Sequence, residues 1–290
     1  MNRLAFLALG FVAAVPGSLV GQYRDAPTSI DLHGSASALV RLFDSLGYQL
    51  DSVVASNEAP RVFVSTLPGD MASMSPVRAK TDLFIRLLLP LALEANERIA
   101  AQRDSLLALQ EKSGAWSAAE SSWVSALANE YRGSADQLDE LLARVDVIPV
   151  SLALAQGADE SAWGTSRFAR EGNSLFGQHT HAKGEAGLVA GSGKKNVQVA
   201  AFPTLLDGVL AYAHNLNSNP AYAELRQVRA QERAQHEILS GSAVAEGLKS
   251  YSARGEDYVH TLQSIIRAHH LHEFDDASLK HGPGLAVSNQ

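Results

Sequence analysis

Between Val77 and Lys112 apolar side chains return at intervals of three and four, through Leu83, Phe84, Leu87, Leu88 and Leu91 to Ile99, Leu106 and Leu107. That spacing places them on one side of a helix, so a long helix with a buried face is what the rest of the chain must fold around. Pro90 lies inside it and predicts a kink or a split, since proline lacks the N–H and crowds the preceding turn. Leu39, Val40, Leu42, Phe43 and Leu46 repeat the period upstream, and Arg61 to Leu67 read as a short extended piece. Ser117 with Glu120, and Ser134 with Gln137, fit the reciprocal capping box and predict two more helix starts. The chain has no cysteine, which removes disulfides, thiol nucleophiles, zinc-thiolate sites and a cysteine-linked lipid anchor. Stability must then come from apolar burial, and 290 residues, 46% of them hydrophobic, suffice for a sizeable core. A formal net charge of −7 without a long Lys/Arg run argues against nucleic acid as a partner.

The opening MNRLAFLALGFVAAVPGSLVGQ has Arg3 as its only charge, an apolar run from Leu4 to Val15, and then Pro16, Gly17 and Ser18. This is the pattern of a secretory signal peptide, predicted here over residues 1–21 with cleavage between Gly17 and Gly21. The apolar run falls short of the roughly 20 residues that span a bilayer, and an uncleaved anchor is the alternative. Leu83 to Leu93, the most apolar later stretch, contains Arg86 and Pro90, so no stable membrane span is expected after cleavage. An exported protein of the periplasm or cell envelope follows.

Residues 22–145 are expected to form a helical N-terminal region. The character of the chain changes at Asp146 to Pro149, with Pro149 suited to the first position of a new helix. That helix, Val150 to about Trp163, is small and apolar nearly all round and therefore buried. A glycine-rich region from Gly172 to Gly193 follows, and Val197 and Val199 then alternate as in a strand. With Gly187 to Ala190 they suggest a small β-hairpin lobe. Helices resume over Thr204 to Asn217, Ala221 to Leu239 and Glu256 to Leu271. The fold class is mainly α (α+β), with a second unit over 146–273 and a polar tail over 274–290. His269, His270 and His272 with Asp275 and Asp276 have metal-ligand chemistry, but adjacent histidines diverge on a helix, so a solvated tail without metal is expected.

Chemistry concentrates in ADESAWGTSRFAREGNSLFGQ, residues 158–178. Glu160 is near the end of the buried helix, above Gly157, Gln156 and Ala153, with Gly164 available to stop the helix. The negative helix terminus and apolar neighbours such as Trp163 both disfavour its carboxylate and predict a raised pKa. A carboxyl group that keeps its proton near neutral pH is what glycoside hydrolysis needs as a donor to the leaving oxygen. Glu171, eleven residues on, would stand about 16 Å away along a continued helix, beyond two-carboxylate distances.

The string E-S-A-W-G-T-S-R-F-A…G-N-S-L-F-G-Q resembles the bacterial glucosaminidase family (mannosyl-glycoprotein endo-β-N-acetylglucosaminidase-like), and within it the Bax-type proteins. Pro60 to Leu67, the leucine-rich stretch to Asn96, AFPTLLDGVLAYAHNLNSNPAYAELR and YSARGEDYVHTLQSII share in the likeness. The resemblance implies a lysozyme-like helical domain with a β-lobe and a glycan cleft between them. It implies peptidoglycan glycan strands as substrate, no cofactor, a monomer, and Glu160 as general acid. Tyr251 and Glu185 stand where relatives place further catalytic groups, and Glu256 and Tyr258 in a cleft-lining segment. Without a second carboxylate the substrate's own 2-acetamido group could act as nucleophile. A lytic transglycosylase would use the same acid, and a non-catalytic glycan-binding scaffold would have kept only the fold. Ala162 replaces the usual Gly, Asp159 a usually neutral residue, and His179 falls where relatives often carry Trp. Trp163 walls the cleft or fills the core; Arg167 and Asn173 bind sugar or tie the loop; Phe176 supports Gly177 under the cleft floor.

Overall fold

The computed structural model describes residues 28–32, 34–180, 187–189, 198–235 and 238–288. Strand β1 (Thr28–Asp31) leads to helix α1 (Ala36–Ser45), which buries Leu39 and Phe43, one helical turn apart. Helix α2 (Leu50–Ser56) ends on left-handed Asn57, and the short strands β2 (Glu58–Ala59) and β3 (Val62–Val64) follow.

Helix α3 (Val77–Glu111) is then continuous through Pro90 rather than split there. Every residue from 83 to 95 is buried, so several fully buried side chains at about 1.5–3 kcal/mol each outweigh the roughly 3 kcal/mol a mid-helix proline costs. The charges inside that stretch are paired: Arg86 donates to Asp44 at 2.9 Å, and Glu94 accepts from Arg61 at 3.3 Å and Arg98 at 2.9 Å. Among the described residues no helix is long and apolar enough to cross a membrane.

Helix α4 (Ala118–Glu130) starts with the expected capping box of Ser117 and Glu120. The second expected box is absent: the Ser134 hydroxyl accepts from the Asp136 N–H, a local turn that outcompetes the cap, and α5 (Leu138–Arg144) begins without a side-chain cap. Helix α6 (Val150–Ser161) follows, with Pro149 as its N-cap rather than its first helical residue. Then come α7 (Arg167–Gly172) and an antiparallel lobe of β4 (His179–Thr180), β5 (Gly187–Val189) and β6 (Gln198–Ala200), with β6 in the middle. Helices α8 (Leu205–Ser218), α9 (Ala223–Gln235), α10 (Gly241–Val244) and α11 (Glu256–Ala268) complete a mainly α fold.

Further expectations are corrected. Residues beyond 274 do not form a polar tail: they hold β7 (Ser278–Leu279), paired with β2, and β8 (Leu285–Ser288), inserted in parallel between β1 and β3. Val287 aligns with Ile30 on one side and Val64 on the other and is buried. Nor is the histidine segment simply solvated, for His269 packs on Trp163 at 4.6 Å between ring centres, and Asp275 bonds to the start of α6. The expected boundary near 145 is a clasp: buried Asp146 is gripped by Arg233 at 2.5 and 2.7 Å, with Arg229 and Arg103 beside it. One apolar core runs from Ala36 to Val287, and α3 packs against both α5 and α6.

Candidate functional site

Helix α6 is buried along its length because its small residues admit close neighbours. A side chain at Gly157 would come within 2.6 Å of Leu88 on α3. The helix stops where Ser161 turns its hydroxyl back to the Gly157 carbonyl and accepts from the Gly164 N–H at 2.8 Å. Ala162, Trp163 and Gly164 then take positive φ in succession, at 50°, 58° and 75°. Only glycine adopts that region freely, so Ala162 and Trp163 are held in a conformation that their Cβ atoms disfavour.

This abrupt stop leaves Glu160 half-buried on the last turn. Gly177, at φ 63°, lies so close that a Cβ there would sit 3.5 Å from Glu160 Oε2. The buried Tyr258 hydroxyl bears on this carboxyl and works against the rise in its pKa. That hydroxyl accepts from Gln156 Nε2 at 2.9 Å, and Gln156 Oε1 accepts from Tyr212 at 2.7 Å. The donors therefore run in one direction, Tyr212 to Gln156 to Tyr258, each bond polarising the next. Stacking fixes the rings: Tyr258 on Tyr251 at 5.4 Å and Phe176 on Tyr212 at 3.7 Å. Tyr222 leans on Tyr251 at 5.6 Å.

Burial raises the Glu160 carboxyl above the usual carboxylate range, the Tyr258 hydrogen bond opposes it, Asp159 adds to it and Arg254 subtracts from it. Tyr258 is the aromatic residue whose hydroxyl acts on this carboxyl among the described residues. Trp163 packs instead on Phe84, at 5.6 Å, and on His269.

The other residues singled out from the sequence scatter over several roles. Tyr251 donates its hydroxyl to the Phe176 carbonyl at 3.0 Å, tying down the turn that presents Gly177. Asn173, buried and left-handed at φ 52°, donates to the carbonyls of Phe202 and Pro203, which ties the loop to the strand-to-α8 connection. Phe176 is core. Arg167 is exposed and pairs with Glu171 at 3.3 Å; Glu256 is exposed and pairs with Lys249 at 3.3 Å. Glu185 and the expected leader lie outside the described residues, as do residues 190–197 of the hairpin region. Sequence reasoning missed Tyr212, Tyr222 and the bridging role of Gln156, because no local spacing links three helices. The one signal was a glutamine on an otherwise apolar helix.

The family model described as mannosyl-glycoprotein endo-β-N-acetylglucosaminidase matches residues 135–271, a span that contains the whole Glu160–Tyr258 constellation. Protein bax of Escherichia coli (strain K12) is 34% identical over 218 residues, covering 71% of this chain and 77% of that protein. A crystal structure of the catalytic domain of the autolysin Auto from Listeria monocytogenes aligns over 60% of this chain and 96% of its own, at 17% identity and a TM-score of 0.34, too low to argue a shared fold. With the family match lying over the site and a third of the aligned residues identical to a Bax protein, the chain belongs to the glucosaminidase family as a Bax-type member.

Proposed function

We propose that this protein is an exported peptidoglycan hydrolase, an endo-β-N-acetylglucosaminidase that cuts the β-1,4 bond after N-acetylglucosamine with Glu160 as general acid. The observation that supports it is a half-buried carboxyl group at the abrupt end of α6, beside Gly177 and raised in proton affinity by burial. In this reaction Glu160 gives its proton to the glycosidic oxygen as the C1–O bond breaks. Asp159 is the carboxylate whose charge reaches Glu160 among the described residues, and it is engaged by Arg254. With the substrate's 2-acetamido oxygen as nucleophile at C1, the reaction needs no second carboxylate. Water then opens the resulting ring and returns a proton to Glu160. Tyr251 and Gly177 shape the floor, and the leader at residues 1–21 accounts for delivery to the envelope.

The test is release of reducing ends from purified peptidoglycan by the mature protein and by Glu160→Gln, with mass analysis of the fragments. Saturable release, lost in the variant and ending in N-acetylglucosamine, is expected. An anhydro terminus would instead mean a lytic transglycosylase, and binding without release would leave a scaffold protein.

A further inference from the structure

Arg254 and Asp159 join the end of α6 to the start of α11, two helices that also pack directly on each other. Asp159 precedes Glu160 on the last turn of α6, and Arg254 lies in the turn that starts α11. The Arg254 Nη2 donates to Asp159 Oδ2. The same guanidinium sits over the Tyr258 ring, 4.7 Å from its centre. Tyr251 stacks on that ring as well, at an interplanar angle of 2°. Tyr258 is thus held by Arg254 and Tyr251, with its hydroxyl bonded to Gln156, one turn before Glu160 on α6.

We infer that Arg254 and Asp159 act as a matched ion pair at the end of α6, each offsetting the charge that the other places beside the Glu160 carboxyl. The role rests on the reading of Glu160 as the acid. The charged and titratable groups that bear on Glu160 among the described residues are Asp159, Arg254, Tyr212, Tyr222, Tyr251 and Tyr258. The tyrosines are neutral at physiological pH, since burial raises all four. The balance is then between one anion, which favours the Glu160 proton, and one cation, which disfavours it. Removing either alone moves the carboxyl in opposite directions. Removing both restores the balance.

The experiment uses the full mature chain with 13C-labelled glutamate, the Glu160 resonance being the one missing from Glu160→Gln. Carboxyl titrations are followed by NMR in wild type, Arg254→Gln, Asp159→Asn, the double variant and Arg254→Lys. The Glu160 midpoint should rise by about half a pH unit or more in Arg254→Gln and fall by as much in Asp159→Asn. It should return close to wild type in the double variant, and Arg254→Lys, which keeps the charge, should stay nearer to wild type than Arg254→Gln. The basic limb of kcat/KM for peptidoglycan release should follow the same order. A purely structural pair would move both single variants the same way or not at all, and that result overturns the inference. Titrations that move as expected in a protein releasing nothing from peptidoglycan would uphold the pair's effect on the carboxyl and reject the glycosidase reading.

Discussion

Asp275 accepts both the backbone N–H and the hydroxyl of Ser151 at 2.8 Å, and so caps the start of α6 from the far end of the chain. Pro149, the N-cap, has no side chain able to do this, and the free N–H groups of a helix start need an acceptor. The same carboxylate accepts from the Gly241 N–H at 3.2 Å, so the first turns of α6 and α10 share one cap. Glu160 stands at the other end of α6, and its place depends on that anchor. Asp275→Ala should cost about 2 kcal/mol, from the lost cap and the buried Ser151 hydroxyl left without it. Urea denaturation would register this as a lower midpoint.

Asp146 is a second such centre, its carboxylate buried among Arg103, Arg229 and Arg233. Burial lowers the Arg229 pKa to about 10, and Asp146 opposes that shift. Asp146→Asn leaves three guanidinium groups facing an uncharged amide, and breaking a buried ion pair from one side costs about 3–5 kcal/mol. The expected outcome is a loss of that size in chemical denaturation, with the helical circular-dichroism signal lost earlier than in wild type.

Ala162 is exposed and takes a left-handed conformation that suits glycine. Ala162→Gly removes that strain without opening a cavity and should gain about 1 kcal/mol, or about 2–4 °C in melting temperature. At Trp163, equally left-handed, the same change should destabilise, because the ring contacts on Phe84 and His269 are lost.

Glu160 links pH to stability. Its folded pKa lies above the ordinary value, so the native state holds the proton more tightly than the unfolded chain does. Its contribution is fully present below the unfolded pKa, about 4.3, and is lost as pH rises through the folded pKa. Glu160→Gln has no such loss, so its melting temperature relative to wild type should increase between about pH 4 and pH 8. A difference that stays flat across that range would contradict the raised pKa.

Tyr258→Phe removes the acceptor of Gln156 Nε2 and the hydroxyl that bears on Glu160. The surroundings of the proposed acid are then disturbed, and kcat/KM for glycan release should fall about tenfold, equivalent to 1.4 kcal/mol of transition-state stabilisation. With the opposing hydroxyl gone, the basic limb of the pH profile should move upward.

By itself the sequence determined the helices, the Ser117–Glu120 cap and the contiguous segment that carries Glu160. Helical period and capping act within one or two turns, so they are legible in a line of residues. It also carried the raised acid, through a carboxyl group placed at the end of an apolar helix. Tertiary structure decided what a few neighbouring residues cannot. Pro90 stays inside α3 because burial on every side outweighs one missing hydrogen bond. The segment SLKHGPGLAVS reads as polar and turn-rich, yet Leu285–Ser288 become a strand because β1 and β3 offer backbone partners on both sides. Tyr212, Gln156, Tyr258 and Arg254 converge on Glu160 from separate helices and turns. Side-chain hydrogen bonds and ring stacking act over a few ångströms of space regardless of separation along the chain, so only the packing of α6, α8 and α11 brings them together.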